Sequence, residues 1–415
     1  MELIGVIAAV AIIIIMTQRG FKLYWSILTG IAVVIVSNRF TLEEIFSITY
    51  HALRSPTMIT LTLIVITLTA FGNLMKETGS LRITMFSLSS LVKDPRYQMV
   101  ILPLLIGLIT FPGGAVFSAP LVEEAGKKLK LSRERMVVAN TAFRHVQYMI
   151  YPLYPGLLLM AEITPYNLFD YIFFNLPVFI IFFLVTFKFV FRGVKVTGLP
   201  EDSPEDNNRR SELKKLLYSL SPLILIILLV LIFHLYYPAA ILIGILAVFF
   251  IYYPVDKPFW ETARSRFGHL ARGINWSMAF SIIAILIFKD FLEHSAVIDD
   301  IMAVMMENNF PVLIPVIFLP FLTAFLMGNY FAAVGICVPL FMPILPPGEQ
   351  GFYYMALIFL TSQAGYFGSP IHMCNILTIE HFKASLPLVI KDVNILGATL
   401  VLLSITAFLT RQYLL

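Results

Sequence analysis

Phe111-Pro112-Gly113-Gly114-Ala115-Val116-Phe117-Ser118 interrupts an apolar segment running from 97 to 122. Those 26 residues would measure roughly 39 Å as one helix, whereas two full membrane crossings need roughly 60 Å. A proline and two glycines at the middle supply the permissive backbone of a sharp tip. The segment therefore reads as a re-entrant hairpin that enters and leaves the bilayer on one side. A second apolar segment, about 311–346, is longer and ambiguous alone. It carries a comparable tip, Gly328-Asn329-Tyr330-Phe331-Ala332-Ala333-Val334-Gly335, and its match to the first makes it a second hairpin.

That match extends through the chain. His51-Ala52-Leu53-Arg54 faces His269-Leu270-Ala271-Arg272 at an offset of 218 residues. Pro103 faces Pro320, Pro120 faces Pro339, Pro152 faces Pro370, Glu162 faces Glu380 and Asn175 faces Asn394, all at offsets of 217–219. A near-constant offset across so apolar a sequence is a sign of internal duplication. The expected organisation is a first repeat over 1–191, a cytoplasmic linker over 192–216, partly disordered, and a second repeat over 217–415.

Composition sets the class. Of 415 residues, 59% are hydrophobic and 13% charged, about half the charge of a soluble domain. Apolar spans near 2–17, 23–37, 57–75, 133–163 and 168–190 are followed by 217–233, 238–253, 275–292, 352–380 and 388–410. Five crossings per half is an odd number, so the halves must be inverted. The fold class is all-α, a polytopic membrane protein of two inverted repeats with ten crossings and both termini outside. Charge agrees: placing 18–22, 76–96, 123–135, 191–216, 254–273 and 381–391 inside collects 23 of the 29 Lys and Arg residues. Residues 1–16 read as a first span and not a cleaved leader, since Glu2 stands where a basic region would be. A net charge of +4 gives no reason to expect nucleic acid. Cys337 and Cys374 read as free thiols, and no spaced metal-ligand, phosphate-loop or catalytic-triad motif occurs.

Irregular backbone at membrane depth survives only where protein or water satisfies it, and in transporters such breaks form the binding site. Besides the two tips, the spans break at Tyr148 to Gly156 and at Ser362 to Asn375. Arg144 lies 11 residues past Arg133, roughly 16 Å into the membrane. An intramembrane charge is costly and by default functional. Carboxylates at that depth are absent, so the expected ligand is a small anion. The candidate substrate contacts are Gly113, Gly114 and Ser118 on the first tip and Asn140, Arg144 and His145 ahead of the first break. Gly328 and Asn329 stand on the second tip, and Ser362, Gln363, Ser369, His372 and Asn375 in the second break. Gly114, Thr141, Asn329 and Ser362 are candidate sodium ligands; His145 or His372 could carry protons instead. No other cofactor is expected.

Hairpins followed by broken helices in two inverted repeats resemble the ion-transporter superfamily, which includes citrate, dicarboxylate, gluconate and arsenite permeases and some sodium/proton antiporters. Phe111–Gly126 and Gly365–His381 look closest to a prokaryotic branch catalogued as a domain of unknown function. The resemblance implies a multi-pass protein of the prokaryotic inner membrane. It also implies a homodimer in which tips and breaks carry substrate and coupling ion, Na+ or H+, by an elevator movement against a dimeric scaffold. The Ser-Asn-Thr tip signature of the sodium/dicarboxylate members is missing here; the tips read Pro-Gly-Gly and Gly-Asn-Tyr. The leading expectation is a cation-coupled anion transporter and not an enzyme. The alternatives are the membrane subunit of a binding-protein-dependent carboxylate transporter and a cation/proton antiporter.

Overall fold

The computed structural model describes residues 2–108, 114–194, 206–251, 258–295 and 311–413, and helices account for nearly all of them, with no strand among the described residues. In the first half the order is α1 (Glu2–Gln18), α2 (Leu23–Ser37), α3 (Leu42–Arg54), α4 (Pro56–Glu77), α5 (Ser80–Leu91), α6 (Pro95–Gly107), α7 (Gly114–Lys128), α8 (Arg133–His145), α9 (Pro155–Ile163) and α10 (Leu168–Val190). The second half runs α11 (Asp206–Leu231), α12 (Tyr237–Ile251), α13 (Phe259–Gly273), α14 (Trp276–Glu293), α15 (Leu313–Met327), α16 (Tyr330–Phe341), α17 (Glu349–Gly368), α18 (Met373–Phe382) and α19 (Leu386–Tyr413).

Four of these helices, α4, α10, α11 and α19, are long and apolar enough to cross a membrane. Large apolar side chains stay exposed along them and along α1, among them Ile4, Ile7, Phe173, Leu184 and Leu402. Such surfaces suit contact with lipid better than water, and the chain is a membrane protein. Three shorter apolar helices, α1, α2 and α12, have 15–17 residues, about 22–26 Å each.

Among the described residues the order of elements in the first half, α5 apart, recurs in the second, and several contacts between the halves are reciprocal. α2 packs on α14 and α12 on α4; α3 packs on α14 and α13 on α4. α9 packs on α16, and α18 on α7. The first helix pair of each half closes in the same way. Ile13 of α1 fills the space beside Gly30 of α2, and Ile226 of α11 fills that beside Gly244 of α12. Small residues at such crossings let backbones approach closely, which is how helices associate in lipid.

Several elements differ from the sequence expectation. The long segments 133–163 and 352–380 are each two helices, α8 with α9 and α17 with α18, separated by the expected breaks. Helices α3, α5 and α13 fill stretches read as loops. Their patterns are amphipathic and too short to cross, so hydropathy passes over them. Thr41 starts α3 with a capping box, its hydroxyl accepting from Glu44 N while the Glu44 carboxylate accepts from Thr41 N. Helix α11 begins at Asp206, inside the expected linker; residues 209–216 are good helix formers, and Lys215 pairs with Glu212 at 2.7 Å. Residues 195–205 of that linker lie outside the described residues.

The helix pairs α6–α7 and α15–α16 pack along one another where hairpins were expected. Asp94 starts α6, its carboxylate accepting from Arg96 N, and the Arg96 guanidinium holds that carboxyl below the usual range by hydrogen-bonding it. The first tip, from 109 through Gly113, lies outside the described residues. The second is described: Gly328 adopts φ 56°, which favours glycine, and Asn329 caps α16 by accepting from Ala332 N at 3.1 Å.

Helix α17 sits directly on α15, and Gly365 makes this contact. A Cβ there would lie 2.8 Å from the Phe321 carbonyl carbon and nearer still to its oxygen. Backbone cannot swing aside, so Gly365→Ala should cost about 1–3 kcal/mol. Gly268 of α13 meets nothing closer than the tip of Arg272 at 3.6 Å, and Gly268→Ala should stabilise by up to about 1 kcal/mol. Thermal unfolding of the two purified variants checks this; a Gly365→Ala protein as stable as wild type contradicts the packing.

Candidate functional site

The two breaks are held open by side chains that serve their free carbonyls. Asn175 of α10 donates to Met149 O at 2.8 Å, and Asn394 of α19 donates to Gly368 O at 3.2 Å. Both the asparagines and the carbonyls stand 219 residues apart. Gln147 donates to Leu104 O on α6 at 2.8 Å, and Ser369 donates to Phe325 O on α15 at 2.6 Å. Each break is thus tied to the first helix of the adjoining helix pair. Without these donors the unwound carbonyls would be buried and unpaired, at about 1–3 kcal/mol apiece.

A cavity of about 330 Å³ opens where these pieces meet. Three helices begin at its wall, α9 at Pro155, α16 just after Asn329 and α18 at Met373, and Gly114 of α7 lines it as well. A helix N-terminus carries roughly half a positive charge, and three of them adjoin one small space. Thr69 of α4 and Asn275 before α14 close another side, joined by a hydrogen bond from Asn275 N to Thr69 Oγ1 at 3.1 Å.

Arg144 adds a full charge. It is 3% exposed and lines the cavity, yet its Nε and Nη1 have no hydrogen-bond partner among the described residues. Its guanidinium lies against Gly114, where an added Cβ would come within 2.7 Å of Cζ. Arg266 is the other buried arginine among the described residues. It donates to the carbonyls of Val248 and Phe249 and stacks over the Phe249 ring. Carbonyls satisfy Arg266; they do not satisfy Arg144. Among the described residues no aspartate or glutamate is fully buried.

The other expected residues divide into two groups. Gly328 and Asn329 line the cavity with Gly114 and Arg144. Gly328 presses on the second break, where a Cβ would lie 3.0 Å from Ile371 C. The rest lie behind the wall. Ser118 donates to Asn140 Oδ1 at 2.6 Å, and Asn140 donates to Ala115 O and Thr378 Oγ1. This set fastens α7 to α8 and α18. Asn375 donates to Phe367 O and Ser369 O across the second break. Gln363 donates to His145 O at 3.2 Å, and Thr141 donates to Val137 O. Thr141 and Ser362, read as sodium ligands with Gly114 and Asn329, are buried but do not line the cavity. Gly113 lies outside the described residues.

Sequence reading passed over the aromatic wall. Tyr148 stacks on Tyr154 at 4.0 Å between ring centroids, Tyr154 on Tyr330 at 5.5 Å, and Tyr366 lies 3.9 Å from the His372 ring. All four tyrosines line the cavity. Their positions within the quoted tip and breaks were the available signal.

Residues 3–410 match the model of a family described as a protein of unknown function (DUF401). The chain belongs to the DUF401 family. A search of curated proteins finds no match. Among solved structures, this DUF401 protein is similar to the YdaH transporter of Alcanivorax borkumensis, described as having an unusual topology. The TM-score is 0.59 at 13% identity, over 90% of this chain and 89% of the other. At that identity the likeness is one of fold.

Cys374 lines the cavity, whereas Cys337 is buried in α16 with its thiol towards Thr323. A small thiol reagent should therefore modify Cys374 in the folded protein and leave Cys337 unmodified until unfolding. Mass spectrometry of partially labelled protein reads this out; prior labelling of Cys337 contradicts the cavity as described.

Proposed function

We propose that this DUF401 protein is a secondary transporter of a small anion. The observation that carries the reading is Arg144: a buried guanidinium with two nitrogens that make no hydrogen bond among the described residues, on a cavity that three helix N-termini adjoin. Its hydrogen-bonding neighbours Tyr148 and Cys374 bring no counter-charge; a buried charge without a counter-ion costs several kcal/mol in effective terms, and an anion would complete the site. Helix ends and arginine together recognise an anion, and the planar fork of arginine suits a carboxylate or a similar oxyanion. The cavity's size falls at the small end of ligand pockets.

The transporter assignment is supported by the fold shared with YdaH, itself a transporter. The reciprocal contacts between halves support two inverted repeats, with the helix pairs as re-entrant hairpins, as in the ion-transporter superfamily. In this reading the hairpins and broken helices form the moving body. Thr69 and Asn275, across the cavity from Arg144's helix, belong to a scaffold through which the chain dimerises in a prokaryotic inner membrane. Coupling to Na+ or H+ completes the scheme. The cation/proton antiporter reading is weaker, because it calls for buried carboxylates that the described residues do not supply.

Arg144→Gln should leave folding nearly intact and weaken anion binding by about 10- to 100-fold, the worth of a hydrogen bond to a charged group. Arg144→Lys should recover only part of that loss, keeping the charge but not the fork. Calorimetric titration with the anion that best stabilises the wild type measures both. A well-folded Arg144→Gln protein with wild-type affinity overturns the assignment.

A further inference from the structure

Beside the cavity, reaching its wall only at Cys374, lies a second group that transport of an anion does not require. His145 ends α8, His372 precedes α18 and Cys374 lies in its first turn. Their ligand atoms all lie within 4.8 Å of one another. In sequence His145 and Cys374 stand 229 positions apart, so no local spacing announces the set.

The histidines are both 1% exposed. His145 Nδ1 donates to Thr141 O at 2.6 Å. A carbonyl only accepts, so Nδ1 carries the proton and Nε2 keeps a lone pair. Histidines that ligate metals are oriented by this kind of bond through the other nitrogen. His145 Nε2 and both ring nitrogens of His372 lack any partner among the described residues. A neutral imidazole holds one N–H and one lone pair, so His372 leaves both unmet in a buried place. The rings stand edge to face, centroids 4.7 Å apart and 80° between planes, which does not join them by a hydrogen bond.

We propose that His145, His372 and Cys374 form a binding site for a borderline or soft transition-metal ion of the Zn2+ class. Imidazole and thiolate select such ions over Na+, Mg2+ or Ca2+. Ligands held about 2.0–2.3 Å from zinc lie roughly 3.3–3.8 Å from each other, so the three donors need to close by about an ångström. Three protein ligands leave a fourth position, the arrangement of zinc sites that bind an exogenous group. Arg144 is the cationic neighbour to reckon with, and it lies within electrostatic reach of Cys374. Binding deprotonates the thiol, and that negative charge offsets part of the ion's charge beside the guanidinium. The net positive charge left over favours an oxyanion bridging the metal and Arg144.

The test uses the full-length protein, purified, stripped with a chelator and desalted. Titration with Zn2+ against a chromophoric chelator should show one ion per chain. Co2+ as a probe should give the near-ultraviolet absorption of a thiolate–cobalt bond. Cys374→Ser should abolish that absorption, and His372→Ala should weaken Zn2+ binding by more than about tenfold. Arg144→Gln should retain the Zn2+ site while losing the anion, so the two assignments fail separately. The site is overturned if the wild type takes up no stoichiometric Zn2+. It is equally overturned if the Co2+ spectrum lacks a thiolate band, a result that needs no variant to fold. Unchanged Zn2+ affinity in the folded triple variant His145→Ala, His372→Ala, Cys374→Ser would mean that the ion binds elsewhere, and would also overturn it.

Discussion

The guanidinium of Arg144 rests on Gly114, and much of the molecule's centre is arranged around that contact. Any side chain at 114 would meet the guanidinium. The glycine therefore lets α7 pack directly on a buried positive charge. Under the proposed function, an anion bound in the cavity offsets the cost of that buried charge.

The breaks make this arrangement possible. A continuous α8–α9 helix would present no N-terminus at Pro155, and a continuous α17–α18 helix none at Met373. Asn175 and Asn394 reach the carbonyls that the unwinding exposes, and Gln147 and Ser369 anchor each break to the neighbouring helix pair. Matching devices in both halves give the cavity two walls of the same construction. Only one half carries the arginine; Ser362 stands at the corresponding place in the other, buried with its hydroxyl unpartnered among the described residues.

How much of this was legible depended on the kind of signal. Proline and glycine report backbone, so Pro152, Pro155, Gly328 and Gly368-Ser369-Pro370 marked the breaks and the described tip correctly. Arg144 was legible because charge at that depth is costly whatever surrounds it. The amphipathic helices α3, α5 and α13 were not legible to a reading based on long apolar runs. The first turns of α11 were masked by their polarity. Side-chain convergence was least legible of all. Nothing in the spacing of His145 and Cys374 says that two breaks fold against each other. The hydrogen bonds that place Ser118, Asn140 and Asn375 behind the wall are likewise tertiary facts.

The proposed function requires that the cavity recognise negative charge. Thermal shift of the purified wild-type protein checks this, with small organic anions set beside their uncharged amides of the same shape, each with and without sodium. The melting temperature should rise with one or more anions and stay unchanged with the matching amides. Stabilisation by the amides as strong as by the anions, or by cationic compounds alone, would contradict it.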